Sequence, residues 1–170
     1  MTTSHRSSRI IGTMRAENGK GTVRMEDVFD TDVADLWSAL VDPDRLSRWI
    51  AEVTGDLRPG GQFHARFTSS WDGPGRVDVC EPHRRLLATM NPGGDDETVI
   101  EAILADEDGR TRLVIEERGF PLDDVAVYGA GWQAHVEDLA AYLAGREAGS
   151  WSDRWAELAP QYRTLAQDLA

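Results

Sequence analysis

The chain has 170 residues, of which 41% are hydrophobic and 28% are charged, a composition that suits one globular domain and excludes a disordered chain. Acidic residues outnumber basic ones by 30 to 18, and the resulting net charge of −12 argues against binding to nucleic acid or to anionic membranes.

Targeting and redox signals favour the cytoplasm. No apolar run approaches the roughly 18 residues that a membrane-spanning helix needs, so we expect no membrane insertion. Residues 1–21 lack the apolar segment of a secretory signal. Cys80 is the single cysteine, which excludes an internal disulfide. Its alternation with Val77 and Val79 predicts a thiol on the outer face of a strand.

The first third of the chain predicts a strand followed by two short helices. Residues 1–21 are rich in Ser, Thr, Gly and Arg, which predicts a flexible N-terminal arm. Alternating apolar residues predict a strand over 22–30. Apolar residues at helical spacing then predict helices over 33–41 and 43–50, the second with a proline in its first turn.

An antiparallel meander and further helices follow. From residue 56 the hydrophobic period is two, with Gly- and Pro-rich turns between the apolar runs. This pattern predicts strands over 63–67, 76–81, 85–91, 97–105 and 111–120. Apolar residues three or four apart predict a long helix over 122–146, and residues 151–170 show a second helical pattern interrupted at Pro160.

Several local motifs occur in an order that resembles one superfamily. They are Pro59-Gly60-Gly61-Gln62-Phe63 before a strand, Pro82 with Arg85-Leu86, and Gly131-Trp132 with Val136, Leu139 and Leu143 in the long helix. Together they resemble the START-like, or SRPBCC, helix-grip proteins, in the activator-of-heat-shock-protein-90-ATPase-homologue branch. The resemblance covers about residues 22–145.

The resemblance implies an α+β helix-grip fold, in which a bent antiparallel β-sheet wraps around a long C-terminal helix in the order β-α-α-β(meander)-α. The helix-grip (START-like) domain would span residues 22–146, with a C-terminal helical extension over 147–170. Members of the superfamily include lipid and sterol carriers, polyketide aromatases and cyclases, antibiotic self-resistance proteins and chaperone activators. In many of them an apolar cavity lies between the sheet and the helix.

The candidate ligand-binding residues are aromatic, apolar and polar side chains that strand alternation and helical spacing place near such a cavity. They are Trp49, Phe63, Phe67, Trp71, Arg76, Met90, Glu117, Tyr128, Trp132 and His135. The four histidines have no metal-binding spacing, and no nucleotide-binding motif is present, so we expect neither metal nor cofactor.

Glu117 and His135 allow two interpretations. Side chains alternate along a strand, so Glu117 lies on the same face as Leu113 and Ile115, which is the inner face of the sheet. There it could serve with His135 as a polar anchor or an acid–base pair. Alternatively, Glu117 lies in water at a strand end and His135 is a structural or an exposed histidine. The resembled family often has histidine at the position of Glu117.

Three functions follow from these observations. The first is binding of a hydrophobic or aromatic small molecule, such as a lipid, polyketide or other natural product, for transport, sequestration or antibiotic self-resistance. The second is a polyketide cyclase or hydrolase that polarises a carbonyl with Glu117, His135 or Arg76. The third, by resemblance, is a chaperone-binding module of the ATPase-activator type.

Overall fold

The computed structural model describes residues 9–169. Its strands are β1 (Gly12–Glu17), β2 (Lys20–Phe29), β3 (Ala51–Gly55), β4 (Gln62–Phe67), β5 (Asp72–Glu81), β6 (Arg85–Met90), β7 (Thr98–Glu107) and β8 (Arg110–Pro121). Its helices are α1 (Val33–Val41), α2 (Pro43–Leu46), α3 (Val125–Leu143) and α4 (Trp151–Ala166), with short 3-10 turns at Leu122–Asp124 and Gln167–Leu169.

All eight strands form one antiparallel sheet in the order β1-β2-β8-β7-β6-β5-β4-β3. The helix pair α1 and α2 interrupts the chain between β2 and β3, and the long helix α3 packs against the apolar face of the sheet. The predicted α+β helix-grip fold, with its order of strand, two helices, meander and long helix, is therefore confirmed. No helix within residues 9–169 is both long and apolar enough to cross a membrane.

Local sequence explains the helix pair. The Asp32 side chain accepts a hydrogen bond from the Asp35 amide at 2.8 Å and so caps the N-terminus of α1. Asp42 caps α2 in the same way, and Pro43 occupies its first turn. The helix α2 ends at Leu46, four residues before the predicted end at residue 50. The chain then turns into β3, a strand that the apolar pattern did not predict.

The prediction of a flexible arm over residues 1–21 is wrong for the segment that forms β1. Asn18 and Gly19, with φ of 52° and 77°, make a two-residue turn that pairs β1 with β2. Asn-Gly between two extended segments is a strong hairpin signal, since both residues tolerate positive φ. The Gly12 amide also donates to the Tyr162 hydroxyl at 3.1 Å, which ties β1 to α4. Residues 1–8 of the predicted arm lie outside the described residues.

The predicted outward orientation of Cys80 is wrong, because β5 contains a bulge. The pairing with β6 shifts between Val77 and Val79, so one extra residue enters the strand and the alternation reverses. Cys80 then lies opposite Leu86 and packs against the core, while Val79 lies on the outer face. Burial raises the pKa of the Cys80 thiol, which keeps it protonated and makes it a poor nucleophile.

The helix α3 is covered on two sides, by the sheet and by α4. Leu158, Ala159 and Tyr162 of α4 belong to the same hydrophobic core as the sheet residues. A Cβ atom at Gly129 would lie 2.6 Å from a ring carbon of Tyr162, so the absence of a side chain there allows the close approach of the two helices. Pro160 does not end α4, contrary to the sequence pattern, and it lies on the exposed side of that helix.

Candidate ligand pocket

A pocket of about 530 Å³ lies between the sheet and the first half of α3, and the start of α4 closes one side of it. Its walls come from the turn before β5, the beginning of β7, the end of β8, and the two helices. The principal lining side chains are Phe67, Trp71, Met90, Thr98, Glu117, Phe120, Tyr128, Trp132, His135, Trp151 and Trp155. A concavity of this size with several aromatic side chains in its lining can hold a small organic molecule.

Glu117 lies on the pocket wall near the end of β8 and is only 8% exposed. The Thr98 hydroxyl donates a hydrogen bond to its Oε2 at 2.5 Å, and Trp132 Nε1 donates one to its Oε1 at 2.8 Å. Burial raises the pKa of Glu117 to about 6, and the two hydrogen bonds limit that rise because they stabilise the carboxylate. The interpretation that Glu117 lies in water at a strand end is therefore wrong.

His135 lies one turn further along α3 than Trp132 and is 4% exposed. Its imidazole is surrounded by aromatic rings, with the centroid of Trp151 at 5.2 Å, that of Trp132 at 5.8 Å and that of Phe67 at 6.0 Å. The Nδ1 atom is buried and has no hydrogen-bond partner. Burial lowers the pKa of His135 to about 3, so the ring is neutral at physiological pH.

Glu117 and His135 do not form a direct pair. Among the hydrogen bonds recorded for residues 9–169, none joins the two side chains, and Trp132 lies between them. Its indole N–H donates to the carboxylate of Glu117, while its ring packs edge-to-face against His135 with an angle of 73° between the two ring planes. Each polar group therefore lines the pocket separately, and each can hold a different part of a ligand.

Further aromatic side chains line the pocket. Phe120 and Tyr128 stack with ring centroids 4.0 Å apart and an angle of 14°. The ring centroids of Phe67 and Trp71, which also line the pocket, lie 5.4 Å apart. Flat, parallel and tilted rings around one space favour a planar aromatic ligand, which can stack on them while its polar edge reaches Glu117 or His135.

The structure brings seven of the ten predicted site residues to this pocket: Phe67, Trp71, Met90, Glu117, Tyr128, Trp132 and His135. Trp49 and Phe63 instead line a second, almost wholly apolar space of about 120 Å³ deeper in the core. Trp49 is buried, and its Nε1 donates to the Ala39 carbonyl at 2.9 Å. Phe67, Met90 and Trp132 border both spaces.

Arg76 lies on the other face of the sheet, away from the pocket. Its Nε donates to Asp78 at 2.7 Å, and one of its terminal nitrogens donates to the Thr89 hydroxyl at 3.2 Å. Because its neighbour Val77 points into the core, alternation directs Arg76 outward. Its proposed contact with a ligand or substrate is therefore wrong for this pocket.

Sequence reasoning missed two tryptophans of α4, Trp151 and Trp155. Trp155 Nε1 donates to the Val127 carbonyl at 3.0 Å, which fastens the start of α4 to α3. Trp151 Nε1 is buried without a hydrogen-bond partner. The spacing of four residues placed both rings on one helix face, but only the packing of α4 on α3 shows that this face covers the pocket. The described residues contain no cluster of His, Cys, Asp or Glu that could hold a metal ion.

An eight-stranded antiparallel sheet packed around a long helix, with a pocket between them, defines a helix-grip domain. Residues 30–144 match the family model described as "Activator of Hsp90 ATPase homolog 1-like protein". The chain therefore belongs to the family of activator of Hsp90 ATPase homolog 1-like proteins. A search of curated proteins finds no match.

Several solved structures share the fold. The crystal structure of CalU16 from Micromonospora echinospora is 24% identical and aligns with a TM-score of 0.77 over 95% of this chain and 99% of CalU16. DynU16, described as a protein in the dynemicin biosynthetic locus, is 27% identical with a TM-score of 0.68, over 75% of this chain and 49% of DynU16. Protein MLL2253 from Mesorhizobium loti is 23% identical with a TM-score of 0.66, over 72% of this chain and 96% of that protein.

Proposed function

We propose that this protein binds a hydrophobic, aromatic small molecule in the pocket between the sheet and α3. One observation carries the proposal: a space of about 530 Å³ whose lining includes seven phenylalanine, tyrosine and tryptophan side chains, with the buried polar groups of Glu117 and His135 among them. Such pockets bind ligands through apolar contact, and a small number of polar groups fix the orientation of the ligand.

The ligand class proposed here is a polyketide or a similar natural product. Membership of the family and the similarity to DynU16, which is described as a protein in the dynemicin biosynthetic locus, support this class. Binding without turnover would serve transport, sequestration or self-resistance, since each needs only capture of the molecule. The absence of an ion pair or hydrogen bond between Glu117 and His135 within the described chain favours capture over an acid–base pair.

The test is a titration with 9-anthracenemethanol, a neutral planar probe, followed by anthracene fluorescence. We expect saturable binding that is weakened at least about tenfold by Val127→Trp. Val127 is 45% exposed and lines the pocket, so an added indole there would take up space in the pocket without disturbing the core. The matched control is Ile103→Trp, because Ile103 is 41% exposed on β7 and lies outside the pocket lining.

Two results would contradict the proposal. The first is that neither the probe nor its amine and carboxylate analogues bind the protein saturably. The other is binding that both tryptophan variants leave unchanged, which would place the probe on another surface.

A cyclase or hydrolase is the second candidate, and the pKa of Glu117 favours it. A buried carboxyl whose pKa is about 6 exchanges a proton readily near neutral pH, as a general acid or base must. In that case Glu117→Gln would abolish turnover of a bound polyketide while binding persists. Turnover that is unchanged in this variant would eliminate Glu117 as the acid–base group.

A further inference from the structure

We propose that the pocket is selective for a lipophilic cation, that is, an aromatic molecule that carries a protonated amine, with Glu117 as its counter-charge. The inference rests on the proposed function, because it specifies the chemical class of the molecule bound in the same pocket. It follows from the charge of the lining, from the unpaired state of Glu117 and from the aromatic walls.

The charged side chains of the pocket all have the same sign. Glu117 lies on the sheet wall, Asp96 precedes β7 and Asp124 stands at the start of α3, and all three line the pocket. Among the described residues of the lining, none is a lysine or an arginine. The pKa of Tyr128 is raised first by burial and then by the charges of Glu117, Asp124 and Asp96, so all three carboxylates act on this hydroxyl. The buried Glu117 and the exposed Asp96 and Asp124 therefore give the pocket a negative potential.

Glu117 has no cationic partner within residues 9–169. Its hydrogen bonds come from the neutral donors Thr98 and Trp132, and no salt bridge reaches it. The adjacent Glu116, on the outer face of the sheet, pairs with Arg15 at 2.8 Å. A buried carboxylate without a counter-ion is costly, and an ammonium group of a ligand would remove that cost. A ligand carboxylate or phosphate would be repelled by the carboxylates of the lining.

The aromatic walls add attraction for the same kind of ligand. The faces of tryptophan and tyrosine rings carry partial negative charge and attract cations, most strongly where water is excluded. Trp71, Trp132, Trp151 and Trp155 all line the pocket. His135, which is buried and has no partner for Nδ1, gives a neutral group that can hydrogen-bond a second polar atom of the ligand.

The surroundings of Glu117 determine the pH dependence. The ionisable groups near it are Asp96 before β7, and Asp124, Tyr128 and His135 on or beside α3. His135 stays neutral above a pH of about 3, and the raised pKa of Tyr128 keeps its hydroxyl protonated. Glu117 gains its proton as the pH falls through about 6, so the affinity for a cation should fall in that window. A neutral ligand should bind equally on both sides of it.

The test compares three probes that share one ring system: 9-anthracenemethylamine, which is cationic, 9-anthracenemethanol, which is neutral, and 9-anthracenecarboxylate, which is anionic. We expect the amine to bind at least about tenfold more tightly than the alcohol at pH 7.5, and the carboxylate to bind most weakly. Glu117→Gln should weaken the amine roughly 10- to 100-fold, as expected for loss of a charged hydrogen bond, and change the alcohol less than about threefold.

Glu116→Gln is the matched control, since it removes the same charge one residue away on the opposite face of the sheet. It should leave all three affinities unchanged. If Glu117→Gln unfolds the protein, the pH profile of the intact chain decides instead: amine binding that weakens below pH 6, beside flat alcohol binding, supports the proposal. If the amine and the alcohol bind equally well, or if both glutamine variants lose the same affinity for the amine, the cation preference is overturned while the proposed function stands. Failure of all three probes overturns the proposed function itself.

Discussion

The replacement of Glu117 by glutamine should change how the stability of the protein depends on pH. The pKa of this carboxyl is about 6 in the folded chain and 4.5 when unperturbed, so the folded state binds the proton more tightly than the unfolded state. Each pKa unit corresponds to about 1.36 kcal/mol, and the shift of about 1.5 units therefore corresponds to about 2 kcal/mol. Glu117 contributes this stability below pH 4.5 and loses it as the pH rises through 6.

Glutamine cannot ionise, so the variant lacks this dependence. The free energy of unfolding of Glu117→Gln, minus that of the original chain, should rise by about 2 kcal/mol between pH 4 and pH 8. Urea titrations of both proteins, followed by tryptophan fluorescence, measure this difference, and every other titrating group cancels between them. The Glu116→Gln control should show no such rise. Parallel stability profiles for Glu117→Gln and the original chain would mean that Glu117 is solvated in the folded protein.

Three further predictions concern the core, the N-terminal strand and the outer face. Trp132→Ala should lower the free energy of unfolding by about 3–5 kcal/mol, because a buried ring is lost; a loss below about 1 kcal/mol in urea would contradict its place in the core. Tyr162→Phe removes a hydroxyl that donates to Gln133 at 2.6 Å and accepts from the Gly12 amide, so it should cost about 1–3 kcal/mol and speed hydrogen exchange of that amide. Unchanged exchange would show that α4 does not hold β1. Arg76→Ala should leave probe affinity within about twofold, since the residue faces away from the pocket; a large loss would return Arg76 to the site.

The order of elements could be predicted from the sequence because hydrophobic period is a local property. The change from period two to helical spacing near residue 122 predicted the long helix that the structure places at Val125–Leu143. The alternation of side chains along β8 also predicted that Glu117 points toward the inner face of the sheet. These inferences need only the residues of one element, so no knowledge of packing is required.

The rest depends on relations between elements. The bulge in β5 inserts one residue at Asp78 and leaves no periodic trace, so the orientation of Cys80 could not be read from alternation. The partners of Glu117 come from β7 and α3, and strand register and helix placement decide which side chains meet it. The role of Trp151 and Trp155 likewise depends on where α4 packs. The hairpin of β1 is different, because Asn18-Gly19 was a readable local signal.

The most direct test of the central claim is the response of the six tryptophan indole N–H groups to a ligand, followed by two-dimensional NMR during titration with 9-anthracenemethylamine. Trp71, Trp132, Trp151 and Trp155 line the pocket, whereas Trp37 and Trp49 do not. The account predicts large shifts of the first four resonances and little change in the other two. Shifts confined to Trp37 and Trp49, or no saturable shift of any indole resonance, would contradict it.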